Sequence, residues 1–93
     1  MFQGVLTQTR DKVRRRQYIM TLHAEKEMSD DELTIFDVER GILTGEIVEC
    51  QKDTETGEQK YLVKGQTVAG SEIVVGTKMS LTGKLVIITV YRL

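Results

Sequence analysis

Lys84-Leu-Val-Ile-Ile-Thr-Val-Tyr-Arg92 decides the fold. From Leu85 to Tyr91 every residue favours β-structure and none is charged, which reads as a strand at the centre of a sheet, buried on both faces. Regular alternation puts Val86, Ile88 and Val90 on one apolar face and Leu85, Ile87, Thr89 and Tyr91 on the other. The first face reads as core. The second changes from greasy to hydroxyl-bearing toward Tyr91 and reads either as the floor of a site or as a strand end emerging into water.

Working outward, Ser80-Leu-Thr-Gly83 is a turn, and Glu72 to Met79 is the preceding strand. A four-residue loop sets Met79 opposite Lys84 and joins Ile73, Val75, Thr77 and Met79 to the face of Val86, Ile88 and Val90. Glu46 to Gln51 and Lys60 to Lys64 form an earlier antiparallel pair around the turn material Asp53 to Glu58. Gly65 suggests a bulge or a tight approach. With Tyr61 and Val63 in the core, Lys60, Lys64 and Lys78 fall on the second face with Thr89 and Tyr91. They form two clusters. Lys78 stands about 20 Å along the strand from Tyr91 at about 3.3 Å per residue, so Lys64 groups with Thr89, Tyr91 and Arg92 for acid-base chemistry. Lys60 and Lys78 are left to grip a substrate backbone.

The N-terminal half carries helical periodicity. Phe2, Val5, Leu6 and Val13 mark a short amphipathic helix, followed by the basic run Arg14 to Arg16, where cations complement the helix dipole. Tyr18-Ile-Met-Thr21 reads as a brief extended piece or turn, with Thr21 as the N-cap of a helix over Leu22 to Met28. There His23, the sole histidine, stands four residues before Glu27, on the same helix face. An imidazole can exchange a proton near neutral pH or contact a phosphate, although a lone helical histidine more often caps a helix or edges a core. Thr34 and Asp37 cap a third helix with an inward stripe of Ile35, Val38, Ile42 and Leu43, stopped at Gly45. Helices first and four strands after give an α+β plan: N-terminal helices on one face of a four-stranded, mainly antiparallel sheet in a single domain over residues 1–93.

Composition narrows the function classes. The chain has 93 residues, 40% hydrophobic and 29% charged, enough for one core but not for a deep pocket. Neither a membrane-spanning run nor a secretory leader is evident, so a cytoplasmic setting is expected. One cysteine, Cys50, excludes an internal disulfide and a cysteine metal cage. His23 with Glu27 makes two ligands at best, so no metal and no cofactor is expected. The eight glycines are scattered, without phosphate-cradling spacing. The net charge of −1 hides an uneven distribution: residues 25–58 carry twelve acids against three bases, whereas Arg10, Lys12 and Arg14 to Arg16 crowd the start. A basic patch can meet phosphates, but most charge runs are solvated faces.

Five boxes carry a resemblance: Thr21-Leu-His-Ala-Glu-Lys-Glu-Met28, Phe36-Asp-Val-Glu39, Gly45-Glu-Ile47, Tyr61-Leu-Val-Lys-Gly65 and Lys78-Met-Ser-Leu-Thr-Gly-Lys-Leu-Val-Ile-Ile-Thr-Val-Tyr91. In order and spacing they resemble the bacterial and cyanobacterial family called domain of unknown function 4258, from about Val13 to Tyr91. That family looks related to RelE/ParE-like toxins and is often encoded beside a YgiT-type zinc-finger protein, as MqsR is beside its antitoxin. The resemblance implies a RelE-like fold and a metal-independent ribonuclease, in which basic groups hold the scissile phosphate and a tyrosine or histidine activates the ribose 2′-hydroxyl. His23, Lys64, Lys78, Thr89 and Tyr91 fall on the family's boxes. The mildly acidic net charge departs from the basic balance expected of an RNA-binding protein.

Two readings follow. In the first, RNA lies across the second sheet face: Lys64 and Arg92 neutralise the phosphate, Tyr91 or His23 exchanges the proton, and Lys60, Lys78 and Thr89 hold the substrate. A tyrosine needs neighbouring positive charge to serve as a base there. In the second, the fold is a non-catalytic module whose sheet face or strand edge binds a protein, such as the zinc-finger neighbour. Homo-oligomerisation stays open under both.

Overall fold

The computed structural model describes residues 2–93. The chain runs α1 (Gln3–Arg14), β1 (Tyr18–Met20), α2 (Leu22–Asp30), α3 (Ile35–Thr44), β2 (Glu46–Lys52), β3 (Gln59–Gln66), β4 (Glu72–Met79) and β5 (Leu85–Arg92). β2 to β5 form the antiparallel meander expected of the C-terminal half, but the sheet has a fifth member. β1 pairs parallel to β5, giving a mixed sheet in the order β1-β5-β4-β3-β2. The four-stranded expectation is corrected here. Three residues are too few to show strand alternation, and Tyr18–Met20 becomes a strand only because Leu85–Ile87 offers a free edge.

The faces of β5 are also corrected. Met79 pairs with Leu85 rather than Lys84, because Gly83 takes a left-handed φ of 87° and the loop closes between the Ser80 N–H and the Lys84 carbonyl at 2.9 Å. A bulge follows: Thr77 faces Ile87 while Gly76 faces Thr89, leaving Ile88 as the extra residue. Leu85, Ile87 and Val90 therefore join the core, each at most 1% exposed, and Val86 turns to the opposite face. Regular alternation could not show this, since the extra residue restores the phase only at Thr89.

Three layers of contact hold the helices on the core face. Val38 and Ile42 of α3 are fully buried in one cluster with Ile73, Val75, Ile87 and Val90, each such side chain contributing roughly 1.5–3 kcal/mol. α3 starts at a capping box: Thr34 Oγ1 accepts the Asp37 N–H while the Asp37 carboxylate accepts the Thr34 N–H. It then lies directly on β3. A Cβ on Gly65 would stand 1.9 Å from the Gly41 carbonyl oxygen, so Gly65 marks a tight approach, with no bulge in its pairing to β4. Gly45 ends α3 with φ −93°, not in the left-handed conformation expected of a glycine stop; a side chain there would strike the Gly41 and Lys64 carbonyls. α1 buries Leu6, Thr9 and Val13, and the Arg10 guanidinium donates to the Ile42 and Gly45 carbonyls at the end of α3. Arg10 is thus a structural clamp.

Candidate functional site

β1 covers only the first part of β5, so the N–H groups farther along that edge need other acceptors. α2 supplies them. Thr21 caps the helix by accepting the Ala24 N–H at 3.1 Å, and its own N–H donates to the Ile87 carbonyl, which pins the helix start to the strand. One turn on, the Glu27 carboxylate accepts the Val90 N–H at 3.2 Å and the Thr89 hydroxyl at 2.7 Å. The Asp31 carboxylate accepts the Arg92 N–H at 3.0 Å. Glu27 on α2 and Asp31 at its C-cap thus replace a neighbouring strand, and hydrogen bonds to a charged group contribute about 1.5–3 kcal/mol each.

The same Glu27 oxygen also lies 3.2 Å from His23 Nε2. His23, Glu27 and Thr89 form a chain from a largely exposed imidazole, through a half-buried carboxylate, to a hydroxyl on the sheet. Accepting from Nε2–H fixes the imidazole's orientation and leaves Nδ1 available to solvent or substrate. The i, i+4 spacing is visible in the sequence, but the role of Glu27 is not. That role shows only once β1 is known to be three residues long beside an eight-residue β5, which leaves N–H groups in need of acceptors.

Among the described residues no helix packs over the opposite sheet face. Lys64, Val74 and Tyr91 form one row across β3, β4 and β5, with Lys64 and Tyr91 roughly 10 Å apart at two strand spacings. Val74 between them is only 4% exposed, so its sheet neighbours close over it, whereas Tyr91 is 36% exposed. In the next row Gly76 makes room for Thr89: a Cβ there would stand 2.3 Å from Thr89 Cγ2. Lys60 and Lys78 occupy this face farther toward the β4–β5 loop. Arg92 does not belong to the cluster. It pairs with Ile73 on the helix side, and its guanidinium donates to the Asp31 carbonyl at 3.1 Å. The bulge that keeps Val90 in the core sets Arg92 on the same side, so the grouping of Lys64, Thr89, Tyr91 and Arg92 is corrected by the loss of its arginine.

Two of the remaining candidate lysines are partnered. Lys64 meets Glu72 at 3.1 Å and Lys78 meets Glu58 at 3.0 Å; exposed pairs of this kind contribute about 0–1 kcal/mol and exchange readily for another anion. Beside Lys64 opens a shallow cleft of about 390 Å³, also lined by Thr44, Glu46, Val48, Gln66 and Glu72. A smaller cavity of about 220 Å³ lies between α1 and the sheet, lined by Val5, Thr9, Tyr61 and Met79 among others, and holds none of the candidate residues. The shifted side chains also lie off the open face. Burial and a 2.5 Å hydrogen bond to Glu39 raise the Tyr18 phenol to about 12. The Thr34 N–H, with that of Val68, holds Asp37 below the usual carboxylate range. Among the described residues, no three of His, Cys, Asp and Glu converge to hold a metal ion.

Fold and site together define a small α+β domain with helices on one sheet face and a polar, uncovered face on the other. Residues 20–92 match the family model described as domain of unknown function (DUF4258), and the chain belongs to that family. No curated protein and no solved structure matches the chain. Among the described residues no helix is long and apolar enough to cross a membrane.

Proposed function

We propose that this protein is a toxin-like, metal-independent endoribonuclease of the bacterial cytoplasm, working on the uncovered sheet face. The observation that carries the reading is the His23–Glu27–Thr89 chain, which brings a proton-exchanging group to the rim of a face that also presents Tyr91 and Lys64. His23 accepts the proton of a ribose 2′-hydroxyl; the freed oxygen attacks the adjacent phosphorus; the bond to the 5′-oxygen breaks, and that oxygen leaves with a proton taken from water. The products are a 2′,3′-cyclic phosphate and a 5′-hydroxyl. Glu27 orients the imidazole through its contact with Nε2. Lys64 exchanges Glu72 for the phosphate, Tyr91 donates to it or stacks on a base, and Lys60 and Lys78 follow the neighbouring backbone. With Arg92 on the helix side, the tyrosine has no arginine beside it on its own face, which favours His23 as the base.

The test is cleavage of RNA by the purified chain in chelator. His23→Ala and Glu27→Gln are expected to lower the rate by about 10²–10⁴-fold, and Lys64→Ala and Tyr91→Phe by less. Full activity in all four variants removes this face from the mechanism.

A second reading, a non-catalytic module binding a zinc-finger antitoxin, is favoured by one observation. Lys64 and Lys78 are both neutralised by glutamates, which leaves the face less basic than a nucleic-acid surface. Its test is co-purification with the product of the neighbouring open reading frame, and the loss of that complex on substituting Tyr91 and Val48.

A further inference from the structure

One corner of the molecule is basic and takes no part in the site above. α1 ends at Arg14, and the chain turns through Arg15 and Arg16, the latter at a left-handed φ of 55°, before entering β1. The Leu85 N–H donates to the Gln17 carbonyl at 3.0 Å, which brings the end of the β4–β5 loop, with Lys84, against this turn. Arg14, Arg15, Arg16 and Lys84 are all exposed, and Lys12 stands beside them with its Nζ 3.4 Å from Gln17 Oε1. Among the described residues only Arg15 of this group has an ion-pair partner, Asp11 at 3.1 Å. Asp30, Asp31 and Glu32 lie at the far end of β5, eight residues or roughly 26 Å away. The fold therefore separates opposite charges along β5, and such a field orients an approaching polyanion.

We propose that this corner is a binding surface for the phosphate backbone of single-stranded RNA. Three guanidiniums favour phosphate, which they can grip bidentately, and they can also stack on unpaired bases. A membrane surface fits less well, because Leu6 and Val13 of α1 are buried against the core and Val5 faces the cavity beneath the helix, which leaves no broad apolar face to insert. The choice of RNA over other polyanions rests on the function proposed above; the patch itself does not depend on cleavage. It lies almost wholly ahead of residue 20, where the family match begins, so it is contributed chiefly by this chain's N-terminal segment.

The probe is a short 2′-O-methyl RNA, which can be bound but cannot be cut through its 2′-oxygen. Its affinity is measured over a salt series for the native chain, for the triple variant Arg14→Gln, Arg15→Gln, Arg16→Gln, and for the same positions changed to Lys. With about four phosphates contacted, log Kd is expected to rise with log salt at a slope of roughly 3, and the Gln variant to lose about two units of that slope and about tenfold or more in affinity. The Lys variant retains most of the binding, which separates charge from a folding defect. Binding of this uncleavable probe is read without turnover, so failure of the catalytic reading leaves this result intact. Equal affinity and slope in the native and Gln proteins overturns the proposal, as does binding to anionic phosphatidylserine vesicles in preference to the RNA.

Discussion

Glu27 serves the fold and the site with one carboxylate, accepting the Val90 N–H and the Thr89 hydroxyl while orienting His23. The two roles can be separated by substitution. Glu27→Gln keeps an acceptor for the strand and is expected to cost about 1 kcal/mol or less, whereas Glu27→Ala leaves two donors unmet and costs about 2–4 kcal/mol; denaturant melts of both variants measure this. Tyr18 gives a second prediction, in pH. Its folded phenol is raised to about 12 from an ordinary value near 10, so the neutral form is the one the fold favours. That contribution is complete below about pH 10 and lost as pH rises toward 12. Tyr18→Phe removes this window from the alkaline stability curve, and an unchanged curve would show that another group governs it.

At the scale of elements, the two glycines of the α3–β3 contact set how closely helix and sheet approach. Gly65→Ala drives a Cβ into the Gly41 carbonyl, and a cost of about 3 kcal/mol or more is expected. Gly4→Ala, with nothing near its Cβ, is expected instead to stabilise α1 by up to about 1 kcal/mol. Thermal melts of the pair test the contrast. At the start of α3, Thr34→Ala is expected to cost about 1 kcal/mol. Because the Asp37 pKa is depressed by the N–H bonds of Thr34 and Val68, its stabilising effect is present above the ordinary aspartate range and is lost as pH falls through the folded value. The Thr34 cap and the inward stripe of α3 are legible in the sequence because they are local, as are the β2–β5 strands and the His23–Glu27 spacing; the reciprocal bond from Asp37 is seen only in the structure. β1, the bulge at Ile88 and the position of Arg92 are not. A three-residue strand exists only through its partner, and a bulge is a property of two strands whose residues each look regular alone.

The whole molecule divides its labour by face. Helices α1 and α3 take the apolar side of the sheet, α2 and its C-cap seal one edge with carboxylates, and the other face carries Lys64, Thr89 and Tyr91, with His23 joined to Thr89 through Glu27. The proposed cleavage would use this face, where the Lys64 and Lys78 ion pairs are weak enough to exchange for phosphate. The most direct test is to incubate the purified chain with a defined RNA in the presence of chelator and determine the chemistry of the new ends, alongside Glu27→Gln and the same RNA with a 2′-deoxy sugar at the cut position. The expected result is a 2′,3′-cyclic phosphate and a 5′-hydroxyl, abolished by the deoxy sugar and suppressed in Glu27→Gln. Absence of cleavage, or cleavage that needs a metal ion or survives the 2′-deoxy substitution, would contradict the account.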